Sequence, residues 1–237
     1  LTNVPKSHFD REPNPTLGKT LSEEALSDEP HSPDGKFHRF QHDVDDGVSP
    51  RSIPGQKGGR YLATGNEHDP TGHICEDTDN RVAQIDRRTE KLAAIRADLD
   101  TVDTGSYAGP DDAQYGIITF GSQQGTVEEA VGRLNDAGVS VKSYGVSDML
   151  PFPTDQVEAF VESVDEVLVV EMTASGQFRG LIQKNLGRYG EKLSSLLKYN
   201  GNPFEPAEVV DGFEAAIIDH DGDASSHQTT FVPAAGD

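Results

Sequence analysis

A chain of 237 residues with 20 Lys plus Arg against 41 Asp plus Glu carries a formal charge of −21, distributed along its whole length. That balance excludes a nucleic-acid footprint, which needs a basic stripe, and it excludes attachment to anionic membranes. A single cysteine, Cys75, excludes an internal disulfide framework and an iron–sulfur cluster held by four cysteines of this chain alone.

Acidity on this scale reads as a surface adapted to concentrated salt, where screening makes self-repulsion tolerable. No apolar run approaches membrane-spanning length and no signal-peptide pattern opens the sequence, so the expected compartment is the cytoplasm. The first residue is Leu1 within polar sequence, which reads as part of a longer polypeptide.

Residues 1–60 have little periodicity and much Pro, Gly, Asp, Ser and His. Residues 21–26 suit one or two helical turns with Ser22 as cap, and Phe37, Phe40, Val44, Val48 and Ile53 are spaced as anchors of an extended arm. Residues 61–79 are a short apolar start followed by a loop rich in Gly, His and Asp. The spacing of Val82, Ile85, Leu92, Ile95 and Leu99 predicts a helix over 80–100 with that stripe inward, charges opposite, and Asp79 or Asn80 as cap. Residues 101–112 read as a linker and turn.

The region 113–218 reads as a compact α/β domain. Strands are expected over 115–120, 139–146 and 166–171, and 192–199 suits either a short strand or a helical turn. Helices are expected over 126–137, capped by Thr126 and ended by Gly138, and over 155–164, 175–186 and 206–218, the last with Pro206 in its first turn. Strands alternating with helices imply a parallel sheet with helices on both faces. Residues 219–237 read as a mobile acidic tail.

Four features bear on chemistry. The strand–turn–helix at Gly121, Ser122 and Gly125 resembles an anion-cradling turn, but it lacks the Lys-Ser/Thr of a P-loop and the third glycine of a dinucleotide fingerprint. His68, His73, Cys75 and Glu76 are metal-ligand types, yet their spacing fits no common zinc pattern, and the reading is a loop with structural histidines and no metal. The run from Asp219 through Asp221 and Asp223 starts like a calcium loop but has Ala224 where Gly is needed and Thr230 where Glu belongs. In 49–55, Pro50 and Pro54 stiffen the backbone around Arg51, whose fork suits a carboxylate or phosphate; an ion pair at a subunit contact is the structural alternative. No catalytic constellation can be assembled.

Five ordered blocks then go beyond pattern: GVSPRSIPG (47–55), ATGNEHDPTGHICED (63–77), ITFGSQQGTVEEA (118–130), DEVLVVEMTASGQ (165–177) and LLKYNGNPFEP (196–206). Together they resemble the C-terminal half of the α subunit of 2-oxoacid:ferredoxin oxidoreductases, over about 40–210, and with the acidic surface they suggest a halophilic archaeal version. The resemblance implies that 1–60 is an arm and the end of a mostly absent pyrimidine-binding domain, that 61–112 is loop, helix and linker, and that 113–218 is a transketolase C-terminal-like domain. It implies decarboxylation of a 2-oxoacid, 2-oxoglutarate or pyruvate, on thiamine diphosphate with Mg, with coenzyme A as co-substrate. It further implies that electrons pass through an iron–sulfur cluster to ferredoxin. The cofactors are held mainly by a β subunit and none by this chain alone, which is inactive without its partner in a higher hetero-oligomer. Substrate- or cofactor-proximal candidates are Arg51, Ser49, His68 and His73. The family's Tyr-Pro-x-Thr-Pro motif is not in this chain, and Cys75 stands where relatives commonly carry Thr. The alternative from the residues alone is a non-catalytic docking or regulatory module binding an anionic ligand at 121–125.

Overall fold

The computed structural model describes residues 36–99, 105–219 and 229–232. The helical turn expected at 21–26, part of the linker and most of the acidic tail, including Asp221, Asp223 and Ala224, lie outside the described residues. The chain divides into two compact units, with the boundary between Ala97 and Asp98.

The first unit is irregular chain held by one long helix, α1 (Thr78–Leu99). Its N-terminus is capped by Asp77, whose Oδ1 accepts the Asn80 N–H at 2.9 Å, so neither Asp79 nor Asn80 is the cap. The helix buries the expected stripe only in part: Leu92, Ile95 and Leu99 are half-buried, but its first turns face the other way. Val82 is 58% and Ile85 41% exposed, whereas Gln84 and Arg87 are buried. The reason lies in what the helix faces: non-repetitive chain presents carbonyls and hydroxyls that need partners. Gln84 Nε2 donates to the Phe40 carbonyl at 2.8 Å, and Arg87 donates to Gln84 Oε1 at 3.0 Å and to Ser49 Oγ at 3.3 Å. Gly47, at φ +68°, lies so close to α1 that a Cβ would sit 2.2 Å from the Arg87 carbonyl oxygen. Arg88 completes the clamp with two bonds to Glu67, at 3.1 and 2.8 Å.

The second unit is a six-stranded sheet in the order β1-β3-β2-β4-β5-β6. The strands are β1 (Gly105–Ala108), β2 (Tyr115–Phe120), β3 (Val141–Val146), β4 (Glu166–Glu171), β5 (Leu193–Leu197) and β6 (Thr229–Phe231). All neighbours pair in parallel except β1, which runs antiparallel to β3 along one edge. The sequence left β1 inside the linker and β6 inside the tail. Both are short edge strands, of 4 and 3 residues, too short to carry a periodic apolar signal.

Helices α2 (Gln124–Asp136), α3 (Thr154–Glu162), α4 (Gln177–Leu186) and α5 (Pro206–Phe213) connect the strands, and α5 continues as a π-helical turn, Glu214–Ile218. Two cores result, one on each face. Ile117, Leu168 and Leu196 pack with Val127, Val131, Val209 and Phe213 from α2 and α5. Ile118, Val167 and Val169 pack with Val157, Phe160, Phe178 and Ile182 from α3 and α4. The expected parallel sheet with helices on both faces is therefore the fold, with one antiparallel edge added.

Because α2 and α3 lie on opposite faces, the chain reverses direction across the sheet beside β2. Open α/β sheets commonly place ligands at the carboxyl ends of strands at such a reversal.

Candidate functional site

The expected anion turn sits at the carboxyl end of β2, but the helix starts earlier than the residues suggested. Gly121–Gln123 form a 3-10 turn that runs into α2 at Gln124. Gly121 has φ +67° and needs glycine's freedom, whereas Gly125 lies inside the helix with open space where a Cβ would be. Thr126 is not a cap; its hydroxyl donates to the Phe204 carbonyl at 3.4 Å. Gln123 Nε2 donates to Ser122 Oγ at 3.1 Å and Gln124 Nε2 to Glu128 at 3.3 Å, so the turn's side chains are engaged with neutral and acidic neighbours.

One strand over, at the end of β4, is a residue that patterning hid. Glu171 closes the run EVLVVE, which read as an apolar strand, yet its carboxyl group is fully buried. It accepts the N–H groups of Phe178 and Arg179 at the start of α4, at 2.9 and 3.0 Å, and the Thr173 hydroxyl at 2.7 Å. The helix N-terminus is thus occupied by the protein's own acid. Arg179 beside it keeps its Nε buried with no hydrogen-bond partner, and burial lowers its pKa while Glu171 works in the opposite direction.

The first unit gathers most of the other candidates. Arg51 lines a cavity of about 710 Å³ together with Arg39, Arg60, Tyr61 and the turn between Ile53 and Gly59. The loop closes on itself: Ser52 Oγ donates to the Gly59 carbonyl at 2.7 Å, and the Ile53 N–H donates to Gln56 Oε1 at 2.7 Å. The first of these bonds ties the residues next to Arg51 and Arg60, which puts both arginines at the base of the loop. Arg39 is steadied by the Ser49 carbonyl at 3.4 Å and by the Phe40 ring, 5.6 Å from its guanidinium carbon. Tyr61 is wedged edge-on between Phe37 and Phe40, both 5.9 Å between ring centres.

The other three candidates do not share that cavity. Ser49 is 4% exposed; its hydroxyl donates to the Gln41 carbonyl at 2.6 Å and accepts from Arg87, which makes it part of the clamp under α1. The His68 ring lies 4.2 Å from Phe40, with Nδ1 2.9 Å from the Asn66 carbonyl. His73 lines a smaller neighbouring cavity of about 320 Å³ that shares Arg60 and Tyr61 with the first. Its Nδ1 is 2.8 Å from Thr71 Oγ1, which donates to Asp69 at 2.6 Å. Burial pushes the Asp69 carboxyl up, but the Thr71 and His73 bonds outweigh it and hold the pKa below the ordinary value. The turn is braced by Gly72, at φ +91°, where a Cβ would strike the Leu62 carbonyl.

Residues 113–209 match the family described as pyruvate:ferredoxin oxidoreductase core domain II. The match to curated relatives runs through both units. Over 197 residues the chain is 30% identical to "2-oxoacid:ferredoxin oxidoreductase 2, subunit alpha" of Aeropyrum pernix, covering 80% of this chain and 30% of that protein. It is 28% identical to a 2-oxoacid:ferredoxin oxidoreductase α subunit of Saccharolobus solfataricus, over 73% of this chain and 27% of the relative. Residues 113–209 thus carry the core domain II of that family, and both units resemble 2-oxoacid:ferredoxin oxidoreductase α subunits.

A solved 2-oxoglutarate:ferredoxin oxidoreductase from Magnetococcus marinus, with 2-oxoglutarate, coenzyme A and succinyl-CoA bound, superposes with a TM-score of 0.60 at 28% identity, covering 76% of this chain and 30% of that one. The chain thus spans about 30% of the length of these relatives. A magnesium ion takes several oxygen ligands and a four-cysteine cluster takes four thiolates. Among the described residues no three His, Cys, Asp or Glu side chains converge on one point, and the sequence has one cysteine. The described residues therefore do not fit either group by themselves. Among the described residues, no helix is long and apolar enough to cross a membrane.

Proposed function

We propose that this chain works as part of the α subunit of a 2-oxoacid:ferredoxin oxidoreductase. Together with a β subunit it converts 2-oxoglutarate or pyruvate into the acyl-CoA and passes the electrons to ferredoxin, in the cytoplasm. The observation that carries this reading is the continuous match to named α subunits across both structural units, 197 residues in one alignment. In this reading thiamine diphosphate, its Mg ion and the iron–sulfur cluster are held elsewhere in the complex. Arg51 is the chain's best candidate for contact with an anionic substrate or cofactor, because it lines a cavity and carries a guanidinium fork. His73 flanks the neighbouring cavity, and Ser49 and His68 serve as supports.

The test is anaerobic purification of the native complex by a tag after Asp237, with iron, sulfide and thiamine diphosphate quantified in the pure material. A stoichiometric iron–sulfur subunit and bound thiamine diphosphate support the reading. A chain that purifies alone, or in a complex without either group, contradicts it. The formal charge of −21 further suggests work in concentrated salt. A melting temperature that rises steadily through molar KCl is the expected result.

A further inference from the structure

Acids lie along the whole chain, but their excess does not. Residues 36–97 hold ten Lys or Arg and ten Asp or Glu, whereas residues 98–237 hold seven against 24. Helix α1 itself carries five bases and four acids. Its side away from the clamp has an uncharged line down the centre. Thr78, Val82, Ile85, Thr89 and Ala93 follow one another at spacings of three and four residues, and all five are exposed. Thr89 donates its hydroxyl to the Ile85 carbonyl at 3.0 Å, so it adds no unmet donor to this face. Single exposed apolar side chains are ordinary. An uncharged line at helical spacing over about 22 Å is the kind of face that a helix buries against a partner.

The flanking charges select the partner. Arg81 borders the line on one side, and Asp79 and Asp86 border it on the other. Among the described residues neither Arg81 nor Asp86 is in an ion pair. Two copies of such a helix packed antiparallel about a two-fold axis set each flank against itself, acid facing acid. Packed parallel, they set opposite flanks together, and Arg81 of one copy comes beside Asp86 of the other. That is the g-to-e relation of a two-stranded coiled coil, with Val82 and Ile85 in the a and d positions.

We propose that the uncharged face of α1 is where two copies of this chain pair, helix along parallel helix, with Arg81 of each copy joined to Asp86 of the other. A chain of net charge −21 meets itself at least cost where its own charge balances, as it does over 36–97. The pairing does not depend on the oxidoreductase reading. A single helix face is smaller than the roughly 800 Å² per partner of a standard interface, so the dimer is of the weak class and forms at high protein concentration.

Sedimentation equilibrium of the full chain tests this, from dilute protein to about 1 mM and from low to molar KCl. A monomer–dimer equilibrium is expected, tighter in molar KCl because salt screens the repulsion between two acidic chains. The double variant Val82→Ser/Ile85→Ser should weaken the dimer by about tenfold or more and leave the melting curve of the dilute chain unchanged. The charge variants are compared at the lowest salt at which the wild type pairs. There Arg81→Asp and Asp86→Arg should each weaken pairing about tenfold by setting like charges together, and Arg81→Asp/Asp86→Arg in one chain should restore it. Asp155→Arg makes the same change of charge in the second unit and should not weaken pairing. A chain that stays monomeric up to about 1 mM at every salt overturns the proposal. So does a dimer that survives Val82→Ser/Ile85→Ser, a charge-exchanged variant that fails to recover, or a native complex that holds a single copy of the chain. A dimer with the expected variant pattern, in a chain whose complex oxidises no 2-oxoacid, would refute the oxidoreductase reading and leave the pairing intact.

Discussion

Glu171 and Glu208 show how individual acids stabilise a chain that carries so many. Glu171 is buried because it terminates a helix: it satisfies two N–H groups of α4 that no other group reaches. Glu171→Ala should cost about 3 kcal/mol in urea denaturation, since it leaves those donors unpaired out of water. Glu171→Gln, which keeps one acceptor oxygen, should cost less. Glu208 is different: it accepts both oxygens' worth of contact from Lys198, at 2.7 and 2.6 Å, and the Glu205 N–H at 2.7 Å. Burial pushes its pKa up, but the Lys198 and Glu205 bonds outweigh that and hold it below the ordinary 4.5. A pKa depressed by folding means a stabilising contribution fully present above the unfolded value and lost as pH falls through the folded one. Glu208→Gln should therefore lower the melting temperature at pH 7, and the gap from wild type should narrow as the pH falls below the ordinary carboxylate range.

At the scale of elements, α1 separates length from packing. Its periodicity predicted a helix, and the helix is there, but over its first half, at Val82 and Ile85, the same periodicity assigned the wrong face to the interior. A 3.6-residue stripe marks a buried face only when the neighbour is apolar, and here the neighbour is irregular chain held through Gln84 and Arg87. Gln84→Ala should destabilise the first unit by about 1–3 kcal/mol, because it strands the Phe40 carbonyl. Val82→Ser and Ile85→Ser should change its stability by less than about 0.5 kcal/mol. Equal losses from both kinds of variant would contradict the polar clamp. In the second unit the glycine of α5 is a close-packing device: a Cβ on Gly212 would lie 2.6 Å from Leu196. Gly212→Ala should cost about 1–3 kcal/mol by overpacking, measured by thermal melting.

On the scale of the whole molecule, the two units were not equally legible. The α/β unit announced itself, since strands such as Val167–Val170 are apolar on both faces and glycine or proline punctuates each helix. What stayed hidden there were β1 and β6, set by pairing with β3 and β5, and Glu171, whose partners lie seven and eight residues away. The first unit has no repeating pattern to read. Arg51 stood out because two prolines flank it, but its companions join it only in the folded chain, Arg60 through the loop closed by Ser52 and Gly59 and Arg39 through its bond to the Ser49 carbonyl. The family, in turn, was carried by five ordered blocks and not by any single site, because the chain holds only about 30% of a relative's length.

The most direct measurement is reduction of a viologen dye by the native complex, purified without oxygen in molar salt and supplied with coenzyme A and either pyruvate or 2-oxoglutarate. Reduction that requires both coenzyme A and one of the two acids is the result the account predicts. A complex that contains this chain and reduces the dye with neither acid would contradict it.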